Sequence, residues 1–280
     1  MNRSPSTTIR EVVAEARAAG VDRGDAMALL SHLTGRPRTW LVAHDDAALD
    51  AGQASRCAEA VARLAAGEPL AYVTGEQAFH GLTLQVDARV LVPRPDTEVL
   101  VDWALELLGQ RPAGPAPAAV VDLGTGSGAI ALAVKLACPT AAVTACDRSV
   151  EALAVARANA GRLGLTVEFA EGSWWCAVGD RRFDLALSNP PYIAEGDVHL
   201  EALHHEPRQA LTAGTDGLDD LRQIIAGAPE HLRPGAWMLL EHGFDQADAV
   251  RGLMAASQFS DVSTRHDLGG RPRCTGGRRP

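Results

Sequence analysis

From residue 120 onward the chain repeats a short apolar run, a turn, a segment of helical length and another apolar run. The apolar runs fall at residues 120–123, 143–146, 167–169, 183–187 and 237–240, with helical patterns at 130–137 and 150–163 between the first three. Runs that are apolar throughout, without alternation, suit strands covered on both faces, and parallel strands need a crossover of helical length to join them. The pattern therefore predicts an α/β fold, a doubly wound and mostly parallel sheet with helices on both faces.

The region before it follows different rules. Thr8 and Glu11 fit a capping box, Ile9, Val12, Val13 and Ala16 form a helical stripe, and Gly20 supplies a stop. A second helix is expected with Asp25 as its cap, Met27, Leu29, Leu30 and Leu33 on its buried side, and Gly35 and Pro37 closing it. A third is expected over residues 46–66, ended by Gly67 and Pro69. At 77–92 the period changes to two, with Phe79, Leu82, Leu84, Val86, Val90 and Val92 as the apolar set of a β-hairpin. A helix is expected at 97–108 and a loop at 111–117. These patterns divide the chain into an N-terminal helical domain (1–75), a hairpin linker (76–92) and an α/β domain (93–280). The Gly- and Arg-rich residues after Gly269 read as a solvated tail.

A length of 280 residues is enough to bury a core without covalent staples. The balance of 26 basic and 35 acidic residues leaves a net charge of −9, unfavourable for general nucleic-acid binding. The cysteines Cys57, Cys138, Cys146, Cys176 and Cys274 are too scattered for a zinc motif, so no metal is expected. No apolar run approaches twenty residues and residues 1–10 are polar, which favours a soluble, cytoplasmic protein without a membrane partner.

The densest motif is Asp122-Leu123-Gly124-Thr125-Gly126-Ser127-Gly128, placed between an apolar run and a helix. Such a turn needs glycine for positive φ and for close approach of a ligand to the backbone. Asp147, at the end of the next strand, stands where a carboxylate can accept hydrogen bonds from a ribose diol. The glycines read GxGxG, not the dinucleotide GxGxxG, and no P-loop Gly-Lys-Ser/Thr is present. An adenosyl ligand without phosphates fits better than a nucleotide.

The fourth predicted strand ends in Ser188-Asn189-Pro190-Pro191-Tyr192. Two prolines hold an extended backbone and remove two N–H donors, leaving acceptors: the carbonyls of Asn189 and Pro190 and the side-chain oxygen of Asn189. Tyr192 adds a ring face for a flat group. This set suits a conjugated NH2 nitrogen, whose lone pair is delocalised until both hydrogens are drawn away from the plane. The residues alone do not distinguish an amide from the amino group of adenine or guanine.

With both motifs in view, the chain resembles the HemK/PrmC family, the release-factor glutamine methyltransferases. The resemblance rests also on Pro69-Leu70-Ala71-Tyr72-Val73-Thr74-Gly75, on Val92-Pro93-Arg94-Pro95-Asp96-Thr97-Glu98 and on Leu239-Leu240-Glu241-His242-Gly243, and it covers nearly the whole chain. It implies a Rossmann-like class I fold with a seven-stranded sheet. The implied reaction moves the methyl of S-adenosyl-L-methionine to the side-chain nitrogen of the glutamine in a Gly-Gly-Gln loop. Gly124, Thr125, Gly126, Ser127, Gly128, Asp147, Trp174 and Asn189 would hold the cofactor, the alternative to Trp174 being its neighbour Trp175. Asn189, Pro190, Pro191 and Tyr192 would hold the glutamine, with Asn189, Pro190 and Tyr192 catalytic, and Arg94, Pro95, Thr97 and Glu98 would line the site.

The partners implied are peptide chain release factors, with no stable nucleic-acid complex. The rival reading is an amino-methyltransferase of DNA adenine or RNA guanine, which would require a basic groove or an added target-reading domain. A non-enzymatic binding module is a third reading, against which the intact Gly124 and Asn189 count. His204, His205 and His242 read as structural or solvated, since amide methylation needs no histidine.

Overall fold

Local capping decides where the first helices begin. The computed structural model describes residues 7–111 and 116–280, and the chain divides into two units, Met1–Glu76 and Gln77–Pro280. In the first unit α1 (Ile9–Ala18) starts with the expected reciprocal capping box of Thr8 and Glu11. Helix α2 (Arg23–Thr34) is capped by Asp22, which accepts from Gly24 N, and Asp25 falls in the first turn instead. A six-residue helix, α3 (Arg38–Ala43), follows Pro37. It escaped the sequence reading because it is too short to show a period.

The next helix, α4 (Ala51–Ala65), begins five residues later than expected, because Asp50 and Gln53 form a second capping box. Residues 46–49 are not helical. They pair with the start of α1, where Leu49 N donates to Thr7 O and Ile9 N to Ala47 O. A short α5 (Leu70–Thr74) completes the unit. Its core gathers Ile9, Val12, Leu29, Leu30, Leu41, Cys57 and Val61, the apolar stripes of four helices.

The second unit opens with the hairpin β1 (Glu76–Phe79) and β2 (Leu82–Gln85). Strand pairing stops there, although Val86, Val90 and Val92 are buried. Their alternation marks an irregular segment packed on the fold, not a longer strand. Asn159 explains the anchoring: its side chain accepts from Gln85 N at 2.7 Å and donates to the carbonyls of Gln85 and Ser127, both at 2.9 Å. One buried amide thus joins the hairpin to the glycine-rich turn.

After the hairpin come a 3-10 turn at Pro95–Thr97 and α6 (Glu98–Gln110). The expected loop at 111–117 lies mostly outside the described residues. The sheet then alternates strand and helix: β3 (Ala119–Leu123), α7 (Ala129–Ala137), β4 (Ala142–Asp147), α8 (Val150–Leu163), β5 (Glu168–Glu171), β6 (Phe183–Ser188), α9 (Asp219–His231) and β7 (Leu232–Glu241). It ends with α10 (Ala247–Ala256), β8 (Ser260–His266) and β9 (Pro272–Arg278). The seven strands stand in the order β5-β4-β3-β6-β7-β9-β8. All neighbours are parallel except β9, which runs antiparallel to both β7 and β8. Connections leave β3 toward β4 and β5 and then return to β6 on its other side. A crevice opens at such a reversal, at the carboxyl ends of the two central strands.

The expected solvated tail is a correction. Residues 272–278 form β9, inserted between β7 and β8, with Arg273, Cys274 and Thr275 buried. Its composition hid it, because its inner face is built from glycine. A Cβ on Gly276 would lie 2.4 Å from Leu239 Cδ2 and 2.7 Å from Trp103 Cη2. The neighbours' side chains supply the apolar packing that β9 itself lacks. Gly276→Val is expected to lower unfolding free energy by about 1–3 kcal/mol through overpacking. Chemical denaturation measures it, and an unchanged midpoint would show that the sheet can move aside.

Candidate active site

The glycine-rich turn leaves β3 and enters α7 with three left-handed residues, Gly124 (φ 75°), Gly126 (φ 55°) and Gly128 (φ 87°). Two of them also serve close packing. A Cβ on Gly124 would come within 3.0 Å of the Trp174 ring, and one on Gly128 within 3.0 Å of Leu132. At Gly126 nothing lies within 4 Å, so the bare backbone faces open space.

The turn is held from below and from the side. Gly124 N and Thr125 N both donate to Cys146 O at 2.9 Å, and Gly126 N donates to Asp147 Oδ2 at 2.9 Å. Ser149 N donates to the other Asp147 oxygen at 2.9 Å. Beneath the turn, Asp122 Oδ2 accepts from Thr125 Oγ1 at 2.6 Å and from Ala131 N at 3.2 Å. Its Oδ1 has no partner, and burial pushes the carboxyl up to about 7.

A cleft opens above this turn, lined by Gly124, Thr125, Gly126, Ser127, Asp147, Trp174, Asn189 and Pro191 among others. Gly128 is not on its wall; it sits at the N-cap of α7. The two tryptophans part company. Trp174, in a left-handed conformation (φ 49°), presents its ring to the cleft and donates from Nε1 to Asp220 Oδ1 at 3.2 Å. Trp175 turns into the core, donating to Ile224 O at 2.8 Å and stacking on His231 with ring centroids 4.9 Å apart.

A second cavity, of about 310 Å3, is lined by Arg94, Pro190, Tyr192, Ile193, Leu203 and Leu211. Leu91, Asn189 and Ala210 border both spaces. Asn189 is therefore part of the wall of both. Its Nδ2 donates to Thr97 Oγ1 at 3.3 Å, while its Oδ1 is buried without a partner. Tyr192 donates its hydroxyl to Glu241 Oε1 at 3.3 Å, and burial raises the phenol above its usual range.

The remaining expected residues divide. Arg94 borders the second cavity, but its guanidinium is paired with the buried Glu206, which also accepts from Val92 N at 3.0 Å. Thr97 borders the first cleft. Glu98 borders neither space: its carboxylate accepts from His80 N at 2.8 Å and serves the hairpin turn, where His80 has φ 43°. Being the first residue of α6, it points along the hairpin and away from the expected glutamine pocket. His204 and His205 lie with ring centroids 4.0 Å apart and line neither cavity. His242 is buried, with Nδ1 donating to Gly243 O and Nε2 accepting from Thr275 Oγ1, and burial lowers its basicity.

Three charged groups were not singled out by the sequence as parts of this site: Glu206, Glu241 and Arg273. Glu241 had a signal in its position at the end of an apolar strand. Arg273 had none, because its strand was not recognised. Among the described residues no group of His, Cys, Asp and Glu is arranged to hold a metal ion.

A profile for the Methyltransferase small domain matches residues 99–243, and one for the PrmC N-terminal domain matches residues 8–75. A release factor glutamine methyltransferase of Bordetella pertussis is 45% identical over 274 residues, covering 97% of this chain and 99% of the relative. The chain belongs to the release factor glutamine methyltransferase family. The relative of that name in Salmonella typhimurium is 41% identical over 273 residues, covering 96% and 97% of the two chains. A methyltransferase from Pyrococcus furiosus shares the fold, with a TM-score of 0.54 at 19% identity over 78% of this chain and 96% of that one.

As a member of this family the protein is an S-adenosylmethionine-dependent methyltransferase with a class I fold. The cleft fits that donor: bare backbone at Gly126, a carboxylate at Asp147 and an indole face at Trp174 suit an adenosine, and nothing in the turn is built to grip phosphate. Trp174→Ala is expected to weaken S-adenosylmethionine binding about tenfold or more in calorimetry, from loss of the stacking face. Trp175→Ala is expected to cost stability instead, about 3–5 kcal/mol as for other large core truncations. Equal effects of both changes on affinity would remove Trp174 from the cofactor site.

Proposed function

We propose that this chain methylates the side-chain amide nitrogen of the glutamine in the Gly-Gly-Gln loop of peptide chain release factors, with S-adenosyl-L-methionine as donor. The observation that carries the reading is Asn189 Oδ1, a buried acceptor without a partner in a residue that lines two neighbouring cavities. An unpaired buried oxygen is costly, and it becomes worthwhile where a donor from outside completes it. The relatives named for release-factor glutamine methylation, which match the chain from end to end, support the same substrate.

The chemistry follows from acceptors alone. An amide nitrogen is a poor nucleophile because its lone pair is shared with the carbonyl. Asn189 Oδ1 and a backbone carbonyl of Asn189 or Pro190 would accept its two hydrogens, drawing them out of the amide plane and localising the lone pair. Tyr192 would hold the flat group from one side, and the two prolines keep competing N–H donors out of the site. The sulfonium would supply the methyl and leave as a neutral thioether while one amide proton passes to solvent, so what the protein adds is in-line placement. Gly124, Thr125, Gly126, Ser127, Asp147 and Trp174 would fix the donor, while Gly128 shapes the turn from behind.

In this reading the helical unit recognises the substrate protein, since one glutamine side chain offers too little surface for specificity. The protein would act where release factors work, in the cytoplasm. Among the described residues no helix is long and apolar enough to cross a membrane.

Labelled S-adenosylmethionine incubated with a release factor, its Gly-Gly-Ala variant, DNA and RNA tests the substrate. Label on the Gly-Gly-Gln protein alone is expected; label on nucleic acid alone would transfer the site to an adenine or guanine amino group. Asn189→Ala is expected to lower kcat by about a hundredfold, the scale for removing one preorganised polar partner, with cofactor affinity within twofold. Deletion of residues 1–67 is expected to abolish transfer to the intact factor while leaving cofactor binding measurable. Loss of both would make the helices structural.

A further inference from the structure

Two adjacent tryptophans follow β5, and helix α9 holds both from one face. Asp220, Ile224 and Gly227 are spaced four and three residues apart, on the same side of α9. Trp175 Nε1 donates to Ile224 O at 2.8 Å, and a Cβ on Gly227 would lie 2.4 Å from Trp175 Cδ1, so this ring lies tight against the helix. Trp174 meets the same face one turn earlier, where its Nε1 donates to Asp220 Oδ1 at 3.2 Å.

The backbone of Trp174 lies in the left-handed region, with φ 49°, which a bulky residue adopts only where its surroundings hold it. Three contacts do so here. Cys146 Sγ donates to Trp174 O at 3.8 Å. The Cζ3 edge of the ring packs on the bare backbone of Gly124, where a Cβ would come within 3.0 Å of it. The opposite edge carries the indole N–H, which can only donate, and it ends on Asp220. The ring is thus pinned at both edges while its face stays on the cleft wall.

We infer that Asp220 is a positioning residue for the cofactor, fixing the plane of the Trp174 indole from behind without touching the cofactor itself. The inference rests on Trp174 as the wall against the adenosyl group. Asp220 is half-buried and does not line the cleft. A ring held in place before the cofactor arrives spares binding the cost of ordering it. Arg148, on the cleft wall, feels the Asp220 charge, so charge and hydrogen bonding at position 220 have to be separated by experiment.

The test measures S-adenosylmethionine Kd by calorimetry for wild type, Asp220→Ala, Asp220→Asn, Trp174→Ala, Trp174→Phe and the double variant Asp220→Ala with Trp174→Phe. Solvent exchange of the Trp174 indole N–H is followed by NMR in the unliganded protein, its resonance assigned by its absence from Trp174→Phe. Asp220→Ala is expected to raise Kd about fivefold or more, the scale of one net hydrogen bond, and to speed exchange of the indole proton. Asp220→Asn, which keeps an acceptor and drops the charge, should bind within twofold of wild type. Trp174→Phe keeps a ring without the N–H, so removing Asp220 in that background should change Kd by less than twofold. A loss that persists undiminished in the Trp174→Phe background would make Asp220 a direct contact or a charge effect and overturn the inference. Asp220→Asn as impaired as Asp220→Ala, or an Asp220→Ala Kd within twofold of wild type while Trp174→Ala binds weakly, would also overturn it. Wild-type affinity in Trp174→Ala would instead defeat the placing of Trp174 against the cofactor, and the inference with it.

Discussion

Parallel pairing of β3 with β6, from Val120 against Leu185 to Asp122 against Leu187, is the constraint on which the rest of the molecule depends. It brings together two segments more than sixty residues apart in the chain and makes both end on the same edge of the sheet. Ser188 Oγ donates to Leu123 O at 2.6 Å and locks the two ends side by side. From that edge the glycine-rich turn and Asn189 reach the same space. A shift of the register by one residue would turn Asn189 toward the other face of the sheet.

Around this edge the structure tolerates polar groups that a core would ordinarily reject. Asp122, Asn189 and Glu241 each keep a buried oxygen without a partner. Such atoms cost free energy that the surrounding apolar packing must offset. They do not serve one purpose. Asp122 braces the glycine turn beneath the cleft, Asn189 belongs to a residue pair with Thr97 on the cleft wall, and Glu241 accepts from Tyr192. The strain is concentrated where open α/β sheets bind ligands, and the strands that flank it, β4 and β7, are apolar along most of their length.

Legibility followed the size of the local signal. Helices α7 and α8 could be read to within a residue because their apolar positions recur over two or more turns and glycine or serine marks their starts. Helices α3 and α5 span six and five residues and offer no period to detect. The start of α4 at Ala51 was set by the Asp50 cap and by pairing of residues 46–49 with the start of α1, which is invisible in either segment alone. Strand β9 was missed for a different reason. A glycine strand contributes room, and the hydrophobic matter filling that room belongs to Trp103, Leu239 and Phe259, far away in sequence.

The sequence by itself determined the fold class, the glycine turn with its acidic partner Asp147, and the Asn-Pro-Pro-Tyr segment at the end of β6, because these are local patterns carried by neighbouring residues. Only the tertiary structure decided which tryptophan faces the cleft, that Glu98 serves a hairpin turn, that Thr97 stands beside Asn189 and that Glu241 meets Tyr192. Those outcomes depend on the order of strands in the sheet. Glu241 meets Tyr192 because β7 lies beside β6, and Arg273 comes near it because β9 inserts beside β7. Adjacency of that kind is set by packing among elements, and no local run of residues encodes it.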